Sequence, residues 1–195
     1  MKQRFVKLAK YGFILEPKYY FYGWSKSADI LARPSLAQAL VEARKHLPRG
    51  YNFKVWDCQR DRSVQLKMID SFRRIFTFRN PKLKGSALQK AIDGFAAKPL
   101  RVMTRPDGHR NGGAIDLTIV DQTGKELWMG TDHDNLTEKA ATDYFEKKKK
   151  LSVLDREALK NRRLLKRVML KAQFDNIAWE WWHWSYDELK HGKND

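Results

Sequence analysis

The sequence predicts an α+β fold, a central and mostly antiparallel sheet flanked by helices, and three patterns carry that prediction. Leu36, Leu40, Val41 and Leu47 recur at helical spacing, as do Leu159, Leu164, Leu165, Val168 and Leu170 near the C-terminal end. Residues Ala114–Val120 alternate strictly and run into Asp121-Gln122-Thr123-Gly124, which reads as a hairpin turn. The segment Ile177–Tyr186 is dense in tryptophan, a composition that favours strand. Helices, an antiparallel hairpin and a terminal strand together make an α+β domain.

In chain order, Ser35–Leu47 is expected to be helical, with Ser35 as N-cap and Pro48 and Gly50 as stop signals. Asn52–Cys58 alternates as a strand and delivers Arg60 at its exit, before a second helix over about Ser63–Phe72. A short helix over Ser86–Phe95 precedes a polar turn region around Arg105-Pro106-Asp107-Gly108. In the strand Ala114–Val120, Ile115, Leu117 and Ile119 face one way, which sets Asp116 opposite the apolar core face. The hairpin returns along Lys125–Met129, and a long helix fills about Ser152–Ala172. No repeat and no Pro/Gly/Ser-rich linker divides the 195 residues, so one domain over 1–195 is expected. With 42% hydrophobic and 12% aromatic residues it can bury a core without staples.

Charge is the most unusual bulk property. The 39 Lys and Arg against 23 Asp and Glu give a formal net charge of +16, enough for a strong positive field. Polyanion binding through that surface is therefore a rival reading. With no helix-turn-helix, zinc-finger spacing or aromatic RNA-binding signature, such binding would be non-specific and salt-sensitive, not sequence-specific recognition of nucleic acid. Lys147–Lys150 and the cluster Lys160, Arg162, Arg163, Lys166, Arg167 and Lys171 read by default as solvated helix faces. The basic N-terminus is broken by Lys7, Lys10 and Glu16, so it reads as folded domain, not signal peptide; this favours the cytoplasm and leaves the periplasm open. No run of roughly 18 apolar residues could span a bilayer. Cys58, the one cysteine, has no partner for a disulfide within the chain.

Metal hydrolases need N or O ligands that leave a coordination position for water, and a carboxylate that is not a ligand to take that water's proton. Two clusters offer such a set. The first is Asp107-Gly108-His109-Arg110-Asn111-Gly112-Gly113-Ala114-Ile115-Asp116, the second Glu180-Trp181-Trp182-His183. The first resembles the SxHxxGxAxD signature and the second the ExxH signature of the D-alanyl-D-alanine dipeptidase family. Trp56-Asp57-Cys58-Gln59-Arg60 is similar to that family's Trp-Asp-x-x-Arg segment. Met129-Gly130-Thr131-Asp132-His133-Asp134 is similar to its Met-Gly-x-x-x-Asp, and Asn161-Arg162-Arg163-Leu164-Leu165 to its Asn-Arg-Arg-x-Leu. The resemblance spans roughly residues 19–187.

Carried over by position, the resemblance implies one zinc per chain, held on the sheet by His109, Asp116 and His183, with Glu180 as general base. It also implies that Arg60 stabilises the oxyanion and that Asp134 binds the free ammonium of a small D,D-dipeptide. Taken alone, Arg60 reads as an ion-pair partner of Asp57 or Asp61, and the tryptophans read first as core and pocket wall. His133, His46 and His191 read as surface residues. Asp107, Asn111 and Asp61 depart from the family pattern, which bears on substrate detail and not on the ligands. Glu180 and His183 would point to opposite faces of a flat strand, so a bend, bulge or turn is expected between them.

Overall fold

The structure, a computed structural model, describes residues 4–96, 108–187 and 190; the expectations for Arg105, Asp107 and His191 lie outside the described residues. Along the chain run β1 (Val6–Lys7), β2 (Ile14–Leu15), α1 (Lys18–Phe21), β3 (Leu31–Ala32), α2 (Pro34–Lys45), β4 (Asn52–Asp57), α3 (Arg62–Arg79) and α4 (Gly85–Asp93). Then follow β5 (Ala114–Val120), α5 (Tyr144–Lys147), α6 (Val153–Lys171), β6 (Asp175–Asn176) and β7 (His183–Ser185). This is the α+β architecture expected. The main sheet has the order β2-β4-β5-β7-β6, and all of its pairings are antiparallel except β2 with β4.

The principal core lies between one face of that sheet and helices α2 and α6. Phe53, Val55, Ile115, Leu117 and Ile119 meet Leu36, Leu40 and Ala43 of α2 and Leu165, Val168 and Met169 of α6. On α6 the buried residues Ala158, Asn161, Arg162, Leu165, Val168 and Met169 follow the spacing of a single helix face. The helix begins with a capping box. Ser152 Oγ accepts from Asp155 N at 3.1 Å, while the Asp155 carboxylate accepts from Ser152 N at 2.8 Å. A second cluster, Tyr19, Val64, Met68, Phe72, Ala96 and Leu136, is built around α3.

Several expectations are corrected. Helix α2 is not capped by Ser35: Arg33 occupies the N-cap and Pro34 the first helical position, where its missing N–H costs nothing. Helix α3 runs on to Arg79, well past Phe72. The return strand over Lys125–Met129 reduces to one bridge, Val120 to Glu126, beside a Leu127 N–H to Ile119 carbonyl bond of 2.9 Å. Strand β5 is buried along its whole length: Ile115, Leu117 and Ile119 join the core, and Asp116 lies on the opposite face as expected, itself enclosed. Arg162 lies in the core with 5% of its surface exposed, not on a solvated face, and His133 is likewise buried. The tryptophan-rich segment is strand only at His183–Ser185, because turns occupy the residues before it.

Candidate metal centre

Three strands place the central residues in a row. In the ladder Asp57 lies opposite Asp116, and Asp116 opposite His183, so the three side chains share one face of the sheet. Asp57 reaches that row only because the register slips between Val55 and Asp57, an extra residue that re-aims the strand end. His109 arrives from outside the sheet, on a single 3-10 turn, His109–Asn111. Gly112 closes that turn at φ +69°, and a Cβ there would stand 2.9 Å from the Phe5 ring and 3.1 Å from Arg33 N, so glycine is required. Asn111, which departs from the family pattern, is buried, and its side chain accepts from Gly113 N at 3.1 Å.

The imidazoles of His109 and His183 and the carboxylate of Asp116 converge. His109 Nε2 lies 3.0 Å from His183 Nδ1 and 3.3 Å from Asp116 Oδ1, and His183 Nδ1 lies 3.2 Å from the same oxygen. Outer contacts orient both rings, and for His109 the contact also sets the tautomer of the neutral imidazole. His109 Nδ1 donates to the Cys58 carbonyl at 2.7 Å, with Asp57 Oδ2 at 3.1 Å, so Nε2 turns a lone pair inward. His183 Nε2 contacts Ser185 Oγ at 3.4 Å, which leaves Nδ1 facing the centre. With both imidazoles neutral, their inward nitrogens can turn lone pairs toward the Asp116 oxygen, and a cation between them, or a proton in its absence, relieves the repulsion. Donors bound at 2.0–2.1 Å with tetrahedral angles stand about 3.3 Å apart, close to the observed triangle. The residues fit a metal ion.

Burial pushes the Asp116 carboxyl up, yet His109, His133 and His183 around it hold it well below the usual carboxylate range. Burial and Arg60 oppose charge on His109, but Asp116 and Asp57 outweigh them and hold its imidazole up at about 9 in the protein without metal. His183, in contrast, is lowered by its burial and by charge on His109. Glu180 is pushed up to about 8, first by burial and then by the charges of Asp116 and Asp134.

Glu180 Oε2 lies 3.8 Å from His183 Nδ1 because the chain turns at Trp181 and Trp182, the bend the spacing required. Asn176 holds that bend: its side-chain amide donates to the Glu180 carbonyl at 3.1 Å and to the His183 carbonyl at 2.7 Å. Arg60 pairs with Asp57 at 2.8 Å and with Asp116 at 2.9 Å, and its Nη1 donates to Gln65 at 2.8 Å. Asp61, the other partner considered, sits at the N-cap of α3. Asp134 adopts φ +57° and accepts from the Tyr19 hydroxyl at 3.1 Å.

Comparison with known proteins decides the family. The model of the Peptidase M15 family, described as D-ala-D-ala dipeptidase, matches residues 22–192. The chain belongs to this family.

Among curated relatives, the D-alanyl-D-alanine dipeptidase of Enterococcus faecalis is 27% identical over 157 residues, covering 80% of this chain and 72% of the relative. That of Synechocystis is 27% identical over 148 residues, which is 70% of this chain and 60% of the relative. That of Escherichia coli is 33% identical over 81 residues, or 42% of this chain and 38% of the relative. As a member of the Peptidase M15 family, the protein is a metallopeptidase. His109, Asp116 and His183 converge closely enough that together they could hold a metal ion. Among the described residues, no helix is long and apolar enough to cross a membrane.

Sequence reasoning left Asp57, His133, Gln65 and Asn176 without roles at this site. Asp57 stood inside the Trp-Asp-x-x-Arg segment, a signal that was available. Asn176 and Gln65 gave none, since their parts depend on contacts made only in the folded chain.

Proposed function

We propose that this protein is a single-domain zinc enzyme that hydrolyses the peptide bond of D-alanyl-D-alanine or a closely related D,D-dipeptide. The observation that carries the reading is the triangle of metal-facing atoms on His109, Asp116 and His183 with the buried carboxyl of Glu180 beside it. The three relatives, each a D-alanyl-D-alanine dipeptidase, suggest the substrate. Zinc held at the triangle would supply a Lewis acid that lowers the pKa of its water to about 7.

Glu180 takes a proton from the attacking water and returns it to the departing amine nitrogen. A carboxyl held up by burial is matched to both steps, since a group near the working pH serves as base and then as acid. A bound cation opposes that rise and favours the carboxylate that begins the cycle. Arg60, kept charged by Asp57 and Asp116 despite its burial, presents its guanidinium to the negative charge that develops on the carbonyl oxygen. Asp134 receives the free ammonium of the substrate. An N-blocked peptide would leave that carboxylate without its partner, and the loss of such a bond costs more than the bond contributes.

The test is release of D-alanine from D-alanyl-D-alanine by the zinc-loaded protein, with the N-acetylated dipeptide and a longer D-Ala-D-Ala-terminated peptide alongside. Cleavage of the free dipeptide alone supports the reading. Cleavage only of the blocked or longer peptides replaces it with the related reading, a D,D-carboxypeptidase or peptidoglycan peptide hydrolase. Glu180→Gln is expected to retain zinc and lose about 10²–10⁴ in turnover. Turnover at the wild-type rate would remove Glu180 from the mechanism. Non-specific contact with polyanions through the +16 surface remains compatible with either activity, and would disappear at moderate salt.

A further inference from the structure

We propose that His133 is a positioning residue for the metal centre: it ties down the second oxygen of Asp116, so that only Oδ1 is presented to the ion, and links that ligand to Asp134. The inference rests on the reading of His109, Asp116 and His183 as ligands. The two oxygens of Asp116 have different surroundings. Oδ1 faces His183 Nδ1 at 3.2 Å and His109 Nε2 at 3.3 Å. Oδ2 is turned away from them, toward Arg60 Nη2 at 2.9 Å and His133 Nε2 at 3.4 Å. An ionised carboxylate only accepts, so the proton in the His133 contact belongs to Nε2.

The ring of His133 has nowhere else to go. Its side chain has 0% of its surface exposed, and the rings of Trp56, Trp182 and Tyr19 enclose it at centroid distances of 4.8, 5.4 and 6.2 Å. The other ring nitrogen, Nδ1, is buried without a hydrogen-bond partner among the described residues and lies 3.5 Å from Asp134 Oδ2. One imidazole thus stands between the metal-ligand carboxylate and the ammonium carboxylate. A ligand oxygen held by two donors is kept from swinging round to chelate the ion, which preserves a coordination position for water.

His133→Phe keeps an enclosed ring and removes both nitrogens, while His133→Gln restores an N–H near the position of Nε2. Zinc affinity, measured by competition with a chromophoric chelator, is expected to fall about 10–100-fold in His133→Phe and to recover most of that loss in His133→Gln. The visible absorption of the cobalt-substituted protein, whose intensity falls as coordination number rises, should weaken in His133→Phe as Asp116, with Oδ2 held by Arg60 alone, turns more readily to use both oxygens. Asp116→Ala serves as the reference. If it loses zinc while His133→Phe keeps wild-type affinity and spectrum, the positioning role is overturned and the ligand reading stands. If Asp116→Ala binds zinc as tightly as wild type, the ligand reading fails and takes this inference with it. Should His133→Phe not fold, His133→Gln is set against His133→Asn, whose shorter amide cannot reach Asp116. Tighter zinc binding by the Gln variant supports the role, and equal binding overturns it.

Discussion

Two buried arginines occupy opposite electrostatic worlds in this protein. Arg60, 7% exposed, is surrounded by acids: its guanidinium pairs with Asp57 and Asp116 and lies over the Tyr19 ring at 4.8 Å. Arg162, 5% exposed, also lies over aromatic rings, Phe145 at 4.7 Å and Trp181 at 5.6 Å, but its hydrogen bonds go to backbone: the carbonyls of Met129 at 2.7 Å, Ala141 at 2.7 Å and Lys139 at 2.8 Å. Burial lowers the proton affinity of both. At Arg60 the carboxylates more than reverse that effect, and at Arg162 nothing does, so its value is pulled down to about 9. Carbonyls can satisfy a guanidinium's hydrogens but carry no charge to offset its own. The first arginine therefore sets the potential at the metal centre, whereas the second clamps the chain.

The same substitution at both positions exposes the difference, and the largest effect is expected at Arg162. A lysine cannot spread its donors as the planar fork does, so Arg162→Lys strands carbonyl oxygens that are buried at Met129 and part-buried at Lys139 and Ala141. Each unsatisfied group costs on the order of 1–3 kcal/mol, so a total loss of about 3 kcal/mol or more in denaturant unfolding is expected. The clamp also holds the approach to Gly130, which adopts φ +88° where a Cβ would collide with the Phe145 ring. That segment leads directly to His133 and Asp134. An Arg162→Lys variant with wild-type stability would mean that the carbonyl cage is not what holds this loop.

At Arg60 the expected loss is catalytic first. Arg60→Lys keeps a cation between Asp57 and Asp116 and should cost on the order of 1–2 kcal/mol of stability. Without the fixed guanidinium, turnover should fall about 10²–10³-fold, the usual consequence of removing one donor to a developing oxyanion. Urea titration and dipeptide turnover on both variants settle the comparison. Equal stability losses with unimpaired turnover at Arg60 would make it a second structural clamp and remove it from the mechanism.

The two arginines also mark how far the sequence could be read. Arg60, His109, Asp116, Glu180 and His183 stood out because the motifs that carry them resemble those of the dipeptidase family, and the structure gathers all five. The bend between Glu180 and His183 followed from two side chains having to face one point. Arg162 and His133 were read as surface residues because their burial comes from partners distant in sequence: Met129 and Lys139 for one, Trp56 and Tyr19 for the other. The slip that brings Asp57 into line leaves no trace in the alternation of Asn52–Cys58. Likewise, tryptophan-rich composition suggested a long strand over Ile177–Tyr186, where Asn176 and the Ala140 carbonyl instead capture the backbone groups a strand would have paired. Propensity describes the local chain, and these are outcomes of tertiary competition.

The smallest expected effect belongs to a half-buried charge pair near the surface, and it completes the series from buried cage to buried pair to surface. Asp155 sits in the first turn of α6, where Lys148 Nζ donates to it at 2.7 Å and Ser152 N at 2.8 Å. The Lys148 contact, followed by the two Ser152 contacts, holds its carboxyl down at about 2. A carboxyl lowered on folding contributes stability that is complete above its ordinary value near 3.8 and is lost as pH falls toward 2. Ser152→Ala should cost about 1 kcal/mol at neutral pH through the lost cap. Asp155→Asn should lower the melting temperature at pH 6 by a margin that narrows below about pH 4, where the unfolded chain's carboxyl takes up protons and the folded one, held at about 2, does not. A margin that stayed constant to pH 3 would show that the Asp155 side chain acts through its shape and hydrogen bonds and not through its charge, unlike the carboxylates that face Arg60.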